Sequence, residues 1–223
     1  MKYYSLGLLC SALLLGGCNS DDYDINVDKI NWTGAYGKTE VQLINASSTP
    51  LDFHIGSYES DGDAPDIKAS KYRVGSLEAG QPQIQVKVNH NWSDERLSLQ
   101  AFHRLNAQGS EYLVHKSAVG KDLTLVAWQD AQQVRLSVFA KSSSSQNGVY
   151  RLRLLATSDN SQIQAGAAKM QLKKGELSHW ISLNNCFGEL KLNEQVIDVC
   201  KATAGQSFLL VLDKNKILSL TQS

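Results

Sequence analysis

The side chains that could carry chemistry are few and scattered. His54, His90, His103, His115 and His179 stand singly in the chain. There is no His-Glu-x-x-His pair, no Gly-x-Ser-x-Gly elbow and no glycine-rich phosphate loop around them. Base-assisted catalysis needs a histidine held beside a nucleophile and an orienting group. No spacing here announces such a trio, so we expect no catalytic residue and a non-enzymatic protein. The richest oxygen cluster is Glu59-Ser60-Asp61-Gly62-Asp63-Ala64-Pro65-Asp66. Its carboxylates, Glu59, Asp61, Asp63 and Asp66, are the hard ligands Ca²⁺ prefers, although Asp, Gly and Pro are equally the residues of a solvated turn. A second acidic run, Asp22-Tyr23-Asp24-Ile25-Asn26-Val27-Asp28, starts like a calcium loop but has Val27 where that loop needs Gly and Thr33 where it needs Glu. Beyond Ca²⁺, no cofactor is expected. Trp92 sits in the polar stretch Asn89-His90-Asn91-Trp92-Ser93-Asp94 and is the ring a saccharide could stack on. Trp128 and Trp180 fall in strand-like runs and are expected in the core.

The four cysteines separate by context. Cys18 ends a mostly apolar run from Leu6 to Leu15 that follows Lys2. The run has the length of a signal-peptide core and is too short to cross a bilayer core of about 30 Å as a helix. Its close, Leu15-Gly16-Gly17-Cys18, resembles the lipobox of bacterial lipoproteins. The resemblance implies cleavage between Gly17 and Cys18, a diacylglyceryl thioether on the Cys18 sulfur, and acylation of the new α-amine by a chain such as palmitate. Several acyl chains, at about 0.8 kcal/mol per buried methylene, make such anchoring stable. Asn19 is not the Asp that resembles an inner-membrane retention signal, so outer-membrane delivery is expected. An ordinary secretory signal with an incidental cysteine is the competing reading.

Cleavage would remove 17 of the 223 residues, with Lys2 and Cys10, leaving 206 residues at a net charge of −1. Two thiols then remain, Cys186 and Cys200. The segment between them reads as two short alternating strands around an Asn-Glu turn, and position 193 is its midpoint. A hairpin centred on Asn193 would set the two cysteines opposite each other, about 4.5 to 5.5 Å apart. An exported compartment is oxidising, so we expect a Cys186–Cys200 disulfide. A metal-binding pair would need His or Cys partners at ligand spacing, and none is near.

Strands are expected to carry these residues. Runs such as Val41 to Ala46, Leu51 to Ile55, Ile84 to Val88, Leu97 to Phe102, Leu123 to Trp128, Val134 to Phe139, Leu152 to Leu155, Leu177 to Leu183, Phe208 to Leu212 and Ile217 to Leu220 recur between Gly, Asn, Asp and Ser. Period-two alternation at this spacing predicts an all-β fold of antiparallel strands with one wet face. With 22 basic and 22 acidic residues the precursor is neutral, which argues against a nucleic-acid binder. The charge is uneven, however. Residues 18–40 carry −3, 41–148 carry −1 and 149–223 carry +3.

Lys141-Ser142-Ser143-Ser144-Ser145-Gln146-Asn147-Gly148 reads as a flexible linker or long loop. The chain repeats itself faintly on its two sides. Val41-Gln42-Leu43-Ile44-Asn45-Ala46-Ser47 aligns with Leu152-Arg153-Leu154-Leu155-Ala156-Thr157-Ser158, and Gly120 to Val126 aligns with Gly205 to Val211. We therefore expect a signal peptide over 1–17, an acidic tether over 18–37, an Ig-like β-sandwich over 38–140, a linker over 141–148 and a shorter, disulfide-stapled sandwich over 149–223.

Asn45-Ala46-Ser47, Pro50-Leu51-Asp52-Phe53-His54-Ile55-Gly56 and the later Gly120-Lys121-Asp122-Leu123-Thr124 resemble a bacterial exported repeat family classed only as a domain of unknown function. The match covers residues 38–139 and, more weakly, 149–220. It implies tandem β-sandwiches at the cell envelope and no particular activity. The expectation is thus a membrane-anchored envelope lipoprotein serving as a binding or structural module. Its partners would be membrane lipid through acylated Cys18 and an envelope protein or glycan, with no nucleic acid. A glycan-binding module using Trp92 is the alternative, and an envelope hydrolase a third reading.

Overall fold

A computed structural model describes residues 36–58, 62–81, 83–91, 95–106, 108–116, 121–214 and 216–223. Every element described below lies within Ala35–Ser223. The first half holds β1 (Tyr36–Ala46), β2 (Leu51–Ser57), β3 (Arg73–Leu77), β4 (Ile84–Asn91), β5 (Arg96–His103), β6 (Leu113–Lys116), β7 (Leu123–Asp130) and β8 (Gln133–Ala140). The second holds β9 (Tyr150–Ala156), β10 (Ser161–Ala165), β11 (Ala168–Leu172), β12 (Ile181–Leu183), β13 (Leu190–Leu192), β14 (Gln195–Val196), β15 (Ser207–Asp213) and β16 (Lys216–Gln222). Among the described residues one 3-10 turn, Ser70–Tyr72, interrupts the strands. Among the described residues no helix is long and apolar enough to cross a membrane.

The strands form four sheets. Sheet I runs β4-β1-β7-β8 and sheet II β3-β2-β5-β6; sheet III runs β12-β9-β15-β16 and sheet IV β11-β10-β13-β14. Adding eight to every strand number of the first pair reproduces the second pair, so the halves share one topology. Each half has one parallel contact, β1 with β7 and β9 with β15, in otherwise antiparallel sheets. Val41 pairs with Leu123, and Leu152 pairs with Phe208. Those are the positions that the sequence repeat aligns, so the repeat is a register as well as a resemblance.

Inward residues of sheets I and II, such as Leu43, Phe53, Leu99 and Leu125, form one core. Leu154, Ile163, Leu192 and Leu210 from sheets III and IV form another. A third cluster joins them: Ile44, Ala46, Val126 and Trp128 of sheet I meet Leu155, Leu209 and Val211 of sheet III. The layers therefore stack II-I-III-IV. Sheets I and III lie in the middle and are covered on both sides, which corrects the expectation of one wet face for their central strands. In β7 the six residues Leu123 to Trp128 are all buried, as are Ser207 to Leu212 in β15. Doubly covered strands read as continuous apolar runs, and each contributes to two cores at once.

The corner after β1 shows what the Asn-Ala-Ser signature does locally. The buried Asn45 amide donates to the carbonyls of Thr49, Leu77 and Glu78 at 2.8, 3.1 and 3.3 Å. Its oxygen accepts from the Ser47 amide and hydroxyl at 3.0 and 2.7 Å. One side chain thereby satisfies backbone groups at the end of β1, the start of β2 and the end of β3, linking the two sheets of the first sandwich. Gly56 serves packing: a Cβ there would lie 2.7 Å from the Pro65 ring, which caps the outer face of sheet II.

The disulfide is present, with Cα atoms 4.7 Å apart. Its setting differs from the expected ladder. The turn consists of both Asn193 and Glu194, with φ of 48° and 69°, and Leu192 pairs with Gln195. Ladder register would then put Cys186 opposite Lys201. The irregular segments on either side of β13 and β14 absorb the slip, and the Val199 amide bonds the Cys186 carbonyl at 3.0 Å. Sequence alternation also did not announce β10 and β11, whose Gln, Ala and Lys residues carry little apolar contrast. Only Ile181–Leu183 of the run expected over 177–183 is a strand, and Leu177 touches Leu155 by an isolated bridge.

Candidate functional site

The ends of β7, β9 and β15 lie together at one end of the stack, and the turns leaving them surround a polar cleft. Gln129, Asp130 and Ala131 come from the β7–β8 turn, Thr157, Ser158 and Asp159 from the β9–β10 turn, and Asp213 and Lys214 from the end of β15. Lys174 and Asn193 complete the lining of a space of about 630 Å³. The β7–β8 turn belongs to the first sandwich and the remainder to the second, so the cleft exists only because the two are stacked.

Its walls are braced by their own polar atoms. Asn193 donates through Nδ2 to the Lys214 carbonyl at 2.9 Å and accepts from the Gln162 amide at 3.0 Å. The Ser158 hydroxyl accepts from the Lys214 amide at 2.9 Å, and Thr157 Oγ1 donates to the Leu212 carbonyl at 3.0 Å. Lys174 Nζ lies 2.5 Å from Asp130 and 3.8 Å from Asp159, and Arg135 Nε lies 3.8 Å from Asp130. The Asp130 hydrogen bond is the main cause that holds the Lys174 ammonium above its usual range, with the charges of Asp130 and Asp159 adding to it against some desolvation. Lys174 therefore remains a cation across the neutral range.

Backbone conformation marks the same place. Among the described residues, the non-glycines with positive φ are Ala131 (53°), Asn160 (56°), Asn193 (48°), Glu194 (69°) and Lys214 (45°). Three of them line the cleft and the other two adjoin its lining. Ala, Glu and Lys have no side-chain chemistry that favours the left-handed region, and each such residue costs of order 1–3 kcal/mol unless its surroundings impose it. Ala131, Asn193 with Glu194, and Lys214 sit in the tight β7–β8, β13–β14 and β15–β16 hairpin turns, whose geometry demands positive φ. The cleft offers carboxylates, ammonium groups, hydroxyls and amides, so it can exchange hydrogen bonds and charge with a polar ligand.

The residues singled out in the sequence are placed elsewhere. Gly17, Cys18, Glu59, Asp61 and Trp92 lie outside the described residues, as does the acidic run 22–28. Asp63 and Asp66 are exposed in the segment after β2. No group of three His, Cys, Asp or Glu that could hold a metal occurs among the described residues. His54 is buried, its Nδ1 2.8 Å from the Ile67 carbonyl and its ring edge-on to Phe102. His103 Nδ1 meets the Thr49 hydroxyl at 2.9 Å. Burial pushes the His115 imidazole below its usual value, which keeps it neutral at pH 7. His54 and His103 thus hold loops in place, against a carbonyl and a threonine.

Trp128 is buried as expected, but in the contact between sandwiches, with its indole N–H donating to Ser137 at 3.0 Å. Trp180 is a correction: it is half-buried at the rim of sheet III, stacked against two guanidinium groups. Sequence reading missed the cleft. Its turns were visible as Asp, Asn and Lys clusters, but nothing local says that turns 80 residues apart converge.

No family model matches the chain, and no curated protein matches it. Among solved structures, the chain is similar to a family 26 carbohydrate-binding module of Amy13K from Eubacterium rectale, crystallised with maltoheptaose. That likeness has a TM-score of 0.27 at 12% identity and covers 83% of this chain and 97% of that one.

Proposed function

We propose that this chain is a lipid-anchored protein of the bacterial cell envelope that works as a non-enzymatic binding module. Cys18 carries the anchor in this reading, and the turn-lined cleft is the recognition surface. The observation that carries the binding role is the gathering of turns from both sandwiches, with their carboxylates, ammonium groups and hydroxyls, around one polar cleft. The direction of the strands supports the arrangement. The chain enters β1 at Tyr36, and β1, parallel to β7, runs from there toward the cleft end. An anchored module would so present the cleft at the end away from its point of entry.

The test is a photo-crosslinking amino acid at Lys214 in the full-length protein in intact envelopes, with the same group at the exposed Lys87 of β4 as control. An adduct from position 214 and none from position 87 is expected. Equal adducts, or none at either position, would remove the cleft from consideration. Release into the soluble fraction by Cys18→Ser is expected as well, and unchanged membrane association would sink the anchor. A glycan is the alternative partner. Glycan binding lost in Trp92→Ala with the cleft intact would move recognition to the segment carrying Trp92.

A further inference from the structure

Arginines 151 and 153 of β9 stand on the face of sheet III that looks toward sheet I, since Leu152 and Leu154 between and beside them face the second core. Both guanidinium groups lie over the Trp180 ring, at 5.9 and 5.7 Å from its centroid, and that of Arg153 also lies 5.9 Å from Phe139 of the first sandwich. Such distances are within reach of cation–π attraction. Two positive charges are thus held two residues apart against a single indole.

Their hydrogen-bond partners are all neutral. Arg151 donates to the Ser144 carbonyl at 3.2 Å, to the Ser144 hydroxyl at 3.0 Å and to the Ser182 hydroxyl. Arg153 donates to the Ser178 carbonyl at 3.2 Å and the Ser142 hydroxyl at 3.1 Å. The contrast with other arginines is plain. Arg73, Arg104 and Arg135 each meet a carboxylate, whereas no carboxylate pairs with Arg151 or Arg153 among the described residues. Desolvation depresses the Arg153 guanidinium, with no neighbouring charge to offset it. A guanidinium has five N–H groups, so the five bonds above leave half of the pair's donors unused.

A second observation lies beside the pair. In the parallel ladder Ser207 is the Cα partner of Arg151, so the two side chains share a face. Ser207 is 1% exposed, and its hydroxyl, like those of Thr39 and Thr221, has no hydrogen-bond partner among the described residues. Buried hydroxyls are almost always satisfied, so the orphan on the face of Arg151 leaves a polar position unfilled there. The composition agrees, since residues 149–223 carry nine basic against six acidic side chains.

We infer that Arg151 and Arg153, set on Trp180 and framed by Ser142, Ser144 and Ser182, form a binding site for an oxyanion: a carboxylate, sulfate or phosphate group. The planar guanidinium forks suit bidentate recognition of such groups, and partial burial strengthens the attraction. The site lies at the start of β9, at the opposite end of the strands from the turn-lined cleft, and it stands whether or not that cleft binds a partner. Its occupant could be a free anion or the phosphate of a lipid headgroup.

Titration calorimetry of the full chain with inorganic sulfate and phosphate at constant ionic strength reads the first source. Sedimentation of the Cys18→Ser chain with phosphatidylglycerol or phosphatidylcholine vesicles reads the second. Saturable binding of a free anion, or selective binding of the anionic vesicles, is expected. It should weaken about tenfold in Arg153→Gln, which keeps neutral donors, and vanish in Arg151→Gln with Arg153→Gln. Should the double variant fail to fold, Arg153→Lys is read instead: it keeps the charge and loses the fork, so an intermediate loss is expected. Lys191→Gln on β13 should bind as the parent does. Absence of binding in both assays, or equal binding by parent and arginine variants, would overturn the assignment.

Discussion

The two sandwiches share a topology strand for strand and differ in how they hold it. The first uses longer strands, up to the 11 residues of β1, and ties its sheets with the buried Asn45 amide. The second has strands as short as two residues, Ala156 where the first has Asn45, and a disulfide that joins the segments flanking β13 and β14. At the matching corner it keeps a smaller device, Thr157 bonded to the Leu212 carbonyl at 3.0 Å. A small sandwich buries proportionally less surface per residue, so loss of strand length has to be offset elsewhere. One fold is thus stabilised by internal polar satisfaction in one copy and by restriction of the unfolded chain in the other.

Trp128 sits in the contact that joins the two copies. Trp128→Ala empties the contact between sheets I and III and is expected to cost about 3–5 kcal/mol. Calorimetry should then show two unfolding transitions where the parent shows one; a single transition at the parental temperature would mean that the third cluster couples nothing. Next in size is the staple. Cys186→Ser with Cys200→Ser opens a short loop and should cost roughly 3 kcal/mol, confined to the second sandwich. Hydrogen exchange should accelerate in β10 and β13 while β2 and β5 keep their protection, and equal acceleration in both copies would contradict the division.

Asn45→Ala comes third, at about 2 kcal/mol, because the carbonyls of Thr49, Leu77 and Glu78 lose their donor in the first sandwich. Exchange should now accelerate in the first copy alone, and denaturant unfolding unchanged from the parent would show the corner to be dispensable. The smallest effect is electrostatic. Partial burial pushes the Asp52 carboxyl up, but the Ser76 hydroxyl with Arg104 and Arg73 outweighs it and holds the group below 3.8. A depressed carboxyl contributes stability that is present above its unfolded pKa and lost as pH falls through the folded one. Acid should therefore weaken the first sandwich below about pH 4, and Asp52→Asn should flatten that limb of the melting curve.

Much of this architecture was legible locally. The alternation around Leu51 to Ile55 and Leu97 to Phe102 marks strands with one apolar face, although loops also bury His54, Ser98 and Gln100 on the other, and the repeat at residues 41 and 152 anticipates the parallel register. The disulfide followed from two cysteines and an Asn-Glu turn. Other features were hidden for a physical reason. A run such as Leu123 to Trp128 reads the same whether its second face meets solvent-side loops or another sheet, so the II-I-III-IV stack could not be read from it. Trp180 looked like core because strand and pre-strand residues have similar composition. In the fold its ring lies outside the sandwich core, against Arg151 and Arg153.

Hydrophobic periodicity, turn chemistry and thiol spacing act over a few residues, so most of the strands, the two copies and the covalent staple were legible in the chain, whereas β10 and β11 were not. How the copies meet is set by packing across the stack. The cleft needs Asp130 of one sandwich beside Lys174 of the other, and the arginine pair is left without a carboxylate only by the way β8, β9 and the serine-rich segment meet. Charge pairing and strain depend on distances between segments remote in the chain, and those distances are set by packing.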